Sequence, residues 1–272
     1  MIANLLLILG VLILSIGLRS FDSVYILRRL GSLGILATSF LVGWLLVHSL
    51  ALGIFLVLAW FLFPWIEILT RIRRLRMPIE QSLKPQSPPR GPYSSSIEEI
   101  SGEIEKHAYA HVTDTGWNWQ DHHQFYRVFY KSPSRTCASI CINQQSHVTF
   151  YYVSLRSRDV NGRVFITWNC PFFFGLKLSP NCRLSMVPDA DLEELESSHK
   201  EFLQKNGVTE DLLLEQDPHA IPADMQEDAR TQVLHNIHIG LLKREGKDFF
   251  RYSARGLIYL WFQSIKEMIR IF

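Results

Sequence analysis

The first pattern along the chain is an apolar run with almost no polar interruption. Residues 2–18 read IANLLLILGVLILSIGL. A bilayer core about 30 Å thick needs a helix of roughly 17–25 such residues, so this stretch is long enough to cross. A cleaved signal peptide would need a basic start and a small-residue cleavage site. No Lys or Arg precedes the run and Arg19-Ser20-Phe21 follows it, which favours a retained helix. A second apolar run extends from Leu30 to Ile66, and residues 31–66 hold no Asp, Glu, Lys or Arg. As one helix it would measure about 55 Å. Two spans joined by a turn near Val47-His48-Ser49-Leu50 fit a bilayer better. The expectation is two or three N-terminal transmembrane helices, with spans at about 2–18, 30–47 and 51–67, in a membrane domain covering 1–76.

Charge favours three. Arg19, Arg28 and Arg29 follow the first run, and Arg71, Arg73, Arg74 and Arg76 follow the last. Short basic segments stay in the cytoplasm. Three spans put both clusters on one side, and two spans separate them. The chain is therefore expected at the cell membrane as a multi-pass protein, with its later residues cytoplasmic. His48 then lies in the outer turn rather than deep in lipid, where an ionisable side chain would suggest function. Ser39 with Gly43, and Ser49 with Gly53, have the small-xxx-small spacing that lets helices approach closely.

Beyond residue 76 the periodicity changes. Residues 77–96, with Pro78, Pro85, Pro88, Pro89 and Pro92, read as a semi-extended linker. Ile97, Ile100, Ile104 and Ala108 recur at helical spacing, in a helix expected to end before Gly116. QFYRVFYK, TCASICIN, HVTFYYVSLRS and RVFITWN then follow as strands, rich in aromatic and β-branched residues. Asn161-Gly162 signals a tight hairpin. HVTFYYVSL is apolar on both faces, which predicts an interior strand covered on both sides. Helices are expected at 190–206, with Leu192, Leu195, His199 and Phe202 on one side and Gly207 as the stop, and at 222–244, with Met225, Ala229, Val233, Ile237 and Leu241 along one face and Gly246 as the stop. Residues 249–272 read as an amphipathic C-terminal helix. The expected soluble domain, 97–248, is α+β: an antiparallel β-meander with flanking helices.

Composition adds one asymmetry. Residues 107–186 hold eight Lys or Arg and three Asp, whereas residues 187–230 hold thirteen acidic residues and three basic ones. Two solvated faces of opposite sign explain this without a partner. The basic residues are scattered and no nucleic-acid motif accompanies them, so nucleic acid is not an expected partner. Membrane lipid is, together with an unidentified protein partner.

Candidate chemistry concentrates in HAYAHVTDTGWNWQDHH, residues 107–123. Glu103, His107 and His111 stand at i, i+4 and i+8, so a continuing helix would present them on one face. Asp114 and His123 would complete a divalent metal site. The sequence has no HExxH or other ordered ligand signature, and a polar helix end with solvated histidines explains the same residues. No other cofactor is expected. Cys137 and Cys141, about 13 Å apart on one strand, cannot bridge each other. Phe172, Phe173 and Phe174 could line an apolar pocket or dip into lipid, with core packing the plainer account; Trp261 and Phe262 on the last helix read as facing the membrane interface, with docking on the domain's own core as the alternative. Asp189 and Asp191 precede a helix and read as caps. The sequence contains no P-loop, GxSxG or GxGxxG.

These features point to a membrane-anchored, non-catalytic binding, scaffolding or accessory module. A membrane-bound metal-dependent hydrolase and a lipid or apolar-ligand binder are the alternatives.

Overall fold

The computed structural model describes residues 2–20, 25–89, 94–145, 148–171 and 175–271. The chain is mixed α+β and divides into two compact units, one formed by 1–75 with 252–272 and the other by 76–251.

The first unit is helical. It contains α1 (Ile2–Arg19), α2 (Tyr25–Leu41), α3 (Leu50–Leu62) and α4 (Pro64–Thr70). The long apolar run breaks where a turn was expected. A π-helical turn at Val42–Leu46 ends α2, and Ser49 caps α3 by accepting from the Leu52 N–H at 3.2 Å. His48 takes the left-handed conformation, φ 55°, that glycine usually supplies. α1 and α2 run antiparallel. Ser15 faces Gly34 at one end, and Asn4 donates to the Leu45 carbonyl at 3.0 Å at the other. α2 and α3 pack through small residues, and a Cβ added at Gly43 would collide with the Gly53 backbone. Trp60 Nε1 donates to Ser39 Oγ at 2.9 Å along the same seam.

Among the described residues, α1 alone is long and apolar enough to cross a membrane as a straight helix. α3 and the helical segment from Pro64 to Arg74 meet the same standard only as a pair bent by 47°. Pro64 causes the bend, because it has no N–H and crowds the preceding turn. α8 (Ala254–Ile271) returns to this unit and packs on α4, burying Ile68, Leu257 and Leu260 with Trp65 and Trp261 around them.

The second unit holds a seven-stranded sheet with consecutive strands adjacent: β2 (Lys84–Pro85), β3 (Ala110–Trp119), β4 (His122–Lys131), β5 (Thr136–Gln145), β6 (Val148–Arg158), β7 (Val164–Trp168) and β8 (Cys182–Met186). All pairs are antiparallel except β7 with β8. The four strands read from the sequence are β4 to β7. β6 is interior but is covered only along its second half, with Val148 and Tyr151 exposed; β5 is buried along most of its length. One sheet face is covered by α5 (Ser94–Lys106) and α6 (Leu192–Lys205). There Phe125, Phe129, Ile140 and Leu155 pack against Ile97, Ile104 and Leu195. On the opposite face, α7 (Ile221–His238) covers Val128, Tyr130 and Cys137 with Ile221 and Met225.

The structure corrects several expectations. α5 stops at Lys106, because Ala108 adopts φ 64° and turns the chain. Residues 110–119 are a strand, not a helix end. Gly116 is no terminator either, since a Cβ there would strike the Gln124 carbonyl across the β3–β4 pair. Asn161-Gly162 does not form a two-residue hairpin, because only Gly162 has positive φ. Instead the Asp159 carboxylate accepts from the Asn161 and Arg163 N–H groups and holds the longer loop. α7 ends at Gly240, with the Leu241 N–H reaching the Asn236 carbonyl. Residues expected to extend it form β9 (Leu242–Glu245), and Phe249–Tyr252 form β10 rather than the start of the last helix. The proline-rich segment contributes β2 and also β1 (Met77–Pro78), which pairs with β10. Residues 90–93 of that segment, and Ser146 and His147, lie outside the described residues.

The Gly43 contact yields a test. Gly43→Val should cost roughly 1–3 kcal/mol through overpacking and lower the thermal midpoint of the intact chain. Gly10→Val should be near neutral, because a Cβ there meets nothing within 4 Å. Equal shifts in the two variants would refute the close approach of α2 and α3.

Candidate functional site

The histidine stretch is distributed over separate partners. His107 follows α5, and its Nδ1 lies 2.7 Å from Glu196 Oε2 on α6. Lys131 Nζ donates to the other Glu196 oxygen at 3.0 Å and lies over the Tyr109 ring. Burial works against the Glu196 carboxylate, but hydrogen bonds from His107, Lys131 and Tyr109 outweigh it and hold its pKa below the usual range. This cluster ties α6 to the sheet.

His111 lies on β3, where its Nε2 is 3.0 Å from Asp114 Oδ1. Asp114 is mainly engaged elsewhere. Arg127 Nε and Nη2 each reach it at 3.0 Å, and Arg127 Nη1 bonds Glu98 at 2.9 Å and Ser101 at 3.1 Å. Such bidentate pairing is structural chemistry that fastens α5 to β3 and β4. His123 pairs with Asn118 at 3.0 Å. Glu103 lines a different feature, a cavity of about 370 Å³ bounded also by Tyr151, Asn169 and Asp191. Of the five metal candidates, only His111 and Asp114 are brought together. Among the described residues, no group of three or more His, Cys, Asp or Glu side chains is placed to hold a metal ion. The expected i, i+4, i+8 face is lost because the helix ends between Glu103 and His111.

That cavity uses much of its polarity to hold the fold. Asn169 accepts from the Val153 N–H at 2.8 Å and donates to the Ala190 carbonyl at 3.0 Å. Asp191 caps α6 by accepting from Glu194 N–H at 2.9 Å, as its position before a helix suggested. Phe172, Phe173 and Phe174 lie outside the described residues.

On α8, Trp261 is tied down. Its Nε1 donates to the Phe61 carbonyl at 2.7 Å beside the Pro64 break, and its ring meets Trp65 at 5.8 Å. Phe262 is 52 % exposed and Ile258, one turn earlier, is 48 % exposed. The helix therefore docks by one face and leaves a second apolar face open.

Sequence reasoning missed a buried polar triad. His199 is 3 % exposed, with Nε2 3.0 Å from Ser157 Oγ and Nδ1 2.8 Å from Thr167 Oγ1. One ring nitrogen donates and the other accepts, so the neutral ring is fully satisfied. Burial pushes the His199 pKa down to about 4. The pair resembles a nucleophile and base, but Ser157 is 0 % exposed. Only His199's place on a helical stripe was visible beforehand; the two hydroxyl partners come from different strands. The four cysteines are free thiols, and burial raises the Cys141 pKa to about 12, so it stays an inert thiol.

Two outcomes follow. In the unfolded chain His199 protonates near pH 6.5, but in the folded chain only near 4. The unfolded state thus binds the extra proton between these values, and stability is lost as pH falls through that window, by on the order of 3 kcal/mol. Thermal midpoints of wild type and His199→Gln across pH 7.5 to 4 should fall more steeply in wild type. Elemental mass spectrometry after zinc supplementation should find far less than one equivalent bound, with no change in His107→Ala. A stoichiometric metal lost in that variant would favour the hydrolase alternative.

Comparison with family models, with curated proteins and with solved structures found no match to this chain.

Proposed function

We propose that the chain is an integral membrane protein whose 76–251 unit is a non-catalytic binding, scaffolding or accessory module on the cytoplasmic side of the cell membrane. The observation that carries the reading is the outer surface of the helical unit. Leu6 is 62 % exposed, Ile13 68 %, Leu33 61 % and Phe55 58 %. Surface of this kind is costly in water, at about 25 cal/mol per Å², and natural in hydrocarbon. Helix contacts through Gly31, Gly34, Gly43 and Gly53 suit the same setting, where close packing replaces the hydrophobic drive. Three passes, through α1, α2 and the bent α3–α4 pair, would leave Arg71, Arg73 and Arg74 on the same side as Arg19 at the end of α1 and Arg28 and Arg29 at the start of α2, the cytoplasmic one.

A second reading concerns membrane lipid as a partner at headgroup depth. Ile258 and Phe262 stand open on α8, and the same helix carries Arg255 and Lys266. An apolar face with basic residues suits an anionic interface.

Alkaline carbonate should leave the chain in the membrane pellet. In right-side-out vesicles, external protease should remove an N-terminal tag and spare a C-terminal one. Release by carbonate, or the opposite tag pattern, would overturn the anchoring or the sidedness respectively. Ile258→Ser with Phe262→Ser should leave the chain in the pellet while weakening lipid protection of α8 from aqueous quenchers.

A further inference from the structure

The sheet face opposite α5 and α6 is only partly covered by α7. Its other half forms a cleft of about 280 Å³. Strand register places Trp117, Gln124, Asn143 and Phe150 in one row across β3, β4, β5 and β6. The row is about 14 Å wide at the usual strand spacing. Two amides occupy its centre and an aromatic ring stands at each end. The next row supplies Tyr126 and Tyr152, and Met77 and Gln81 form a further wall.

The lining contains no Asp, Glu, Lys or Arg, and its one imidazole, His122, has Nε2 3.4 Å from the Gln145 amide, in a chain where 20 % of residues are charged. Burial, and secondarily the Cys141 thiol, pushes both tyrosine hydroxyls further up, so they too stay neutral. An anionic ligand would need a guanidinium, ammonium or comparable donor cluster, and the lining offers none. The amides are arranged for a neutral polar partner. Gln124 Oε1 accepts from Trp117 Nε1 and from the Tyr126 hydroxyl at 2.8 Å. That uses its acceptor and fixes its NH₂ as donor. Among the described residues, neither the Gln124 NH₂ nor the Asn143 amide has a hydrogen-bond partner. Asn143 offers both a donor and an acceptor.

We propose that this cleft binds a neutral saccharide of one or two pyranose rings. Vicinal hydroxyls each donate and accept, matching the central amides, while the C–H faces of a pyranose lie against the flanking rings. The cleft's volume is at the small end for ligand pockets, which sets the ring count. The proposal rests on reading the 76–251 unit as a binding module and gives that module a ligand class.

The test uses the intact chain in lipid nanodiscs, since detergents with sugar headgroups would compete. Saturation-transfer NMR is run with glucose, N-acetylglucosamine, maltose and, as a neutral nucleoside without a pyranose ring, uridine. At least one sugar should receive magnetisation on its ring protons. Asn143→Ala should weaken that sugar's titration midpoint about tenfold, with the thermal midpoint unchanged. Phe150→Ala should abolish transfer; if it fails to fold, Asn143→Ala still decides. No transfer to any sugar, or transfer undiminished in Asn143→Ala, overturns the proposal. Uridine binding alone, lost in Asn143→Ala, overturns the saccharide while keeping a binding module. The anchoring reading is judged separately, by carbonate extraction.

Discussion

The chain enters the α+β unit at Arg76 and leaves it at Arg251, and these two crossings are tied together as antiparallel strands. Met77 pairs with Phe250 and Pro78 with Phe249. The tie is reinforced by side chains. The Arg76 guanidinium lies 3.9 Å over the Phe249 ring, Trp119 packs on that ring at 5.3 Å, and Trp119 Nε1 donates to the Arg76 carbonyl at 2.9 Å. The unit is therefore an insertion with adjacent ends. Residues 252–272 belong to the helical unit, where α8 covers Ile68 on the helix that Pro64 bends away from α3.

Within the insertion, the two sheet faces are treated differently. One carries a continuous apolar layer under α5 and α6, and the polar groups at its edges are matched. Glu196 gathers His107, Lys131 and Tyr109, and Arg127 gathers Asp114, Glu98 and Ser101. Such clusters stabilise modestly but specify how each helix sits, because a partner removed would leave a half-buried charge unmatched. The other face is mixed. Asp228 on α7 receives both Arg156 and Arg158, and beyond that helix the neutral amide and aromatic cleft opens.

The unit's titratable groups serve stability more visibly than chemistry. His199 is kept neutral by two hydroxyls inside the core, and Cys141 is kept protonated by burial. A catalytic pair would need access as well as proximity, and Ser157 has proximity alone.

The sequence by itself determined what depends on local pattern. Apolar runs marked the helices of the first unit and the break near His48. Alternating aromatic and β-branched residues marked β4 to β7, and Asp191 with Gly207 bounded α6. It did not determine features whose cause is distant along the chain. Ala108 stops α5 without any turn-forming composition, so the histidine spacing read as a helix face. Gly116 looked like a breaker, yet it is required by the neighbouring strand's backbone. Gly240 ends α7 although Leu241 continues the apolar period. The metal candidates drew attention because residue types were clustered in sequence. The cleft went unread because Trp117, Gln124, Asn143 and Phe150 belong to four strands. Only register aligns them: strand pairing brings together residues that no local period relates.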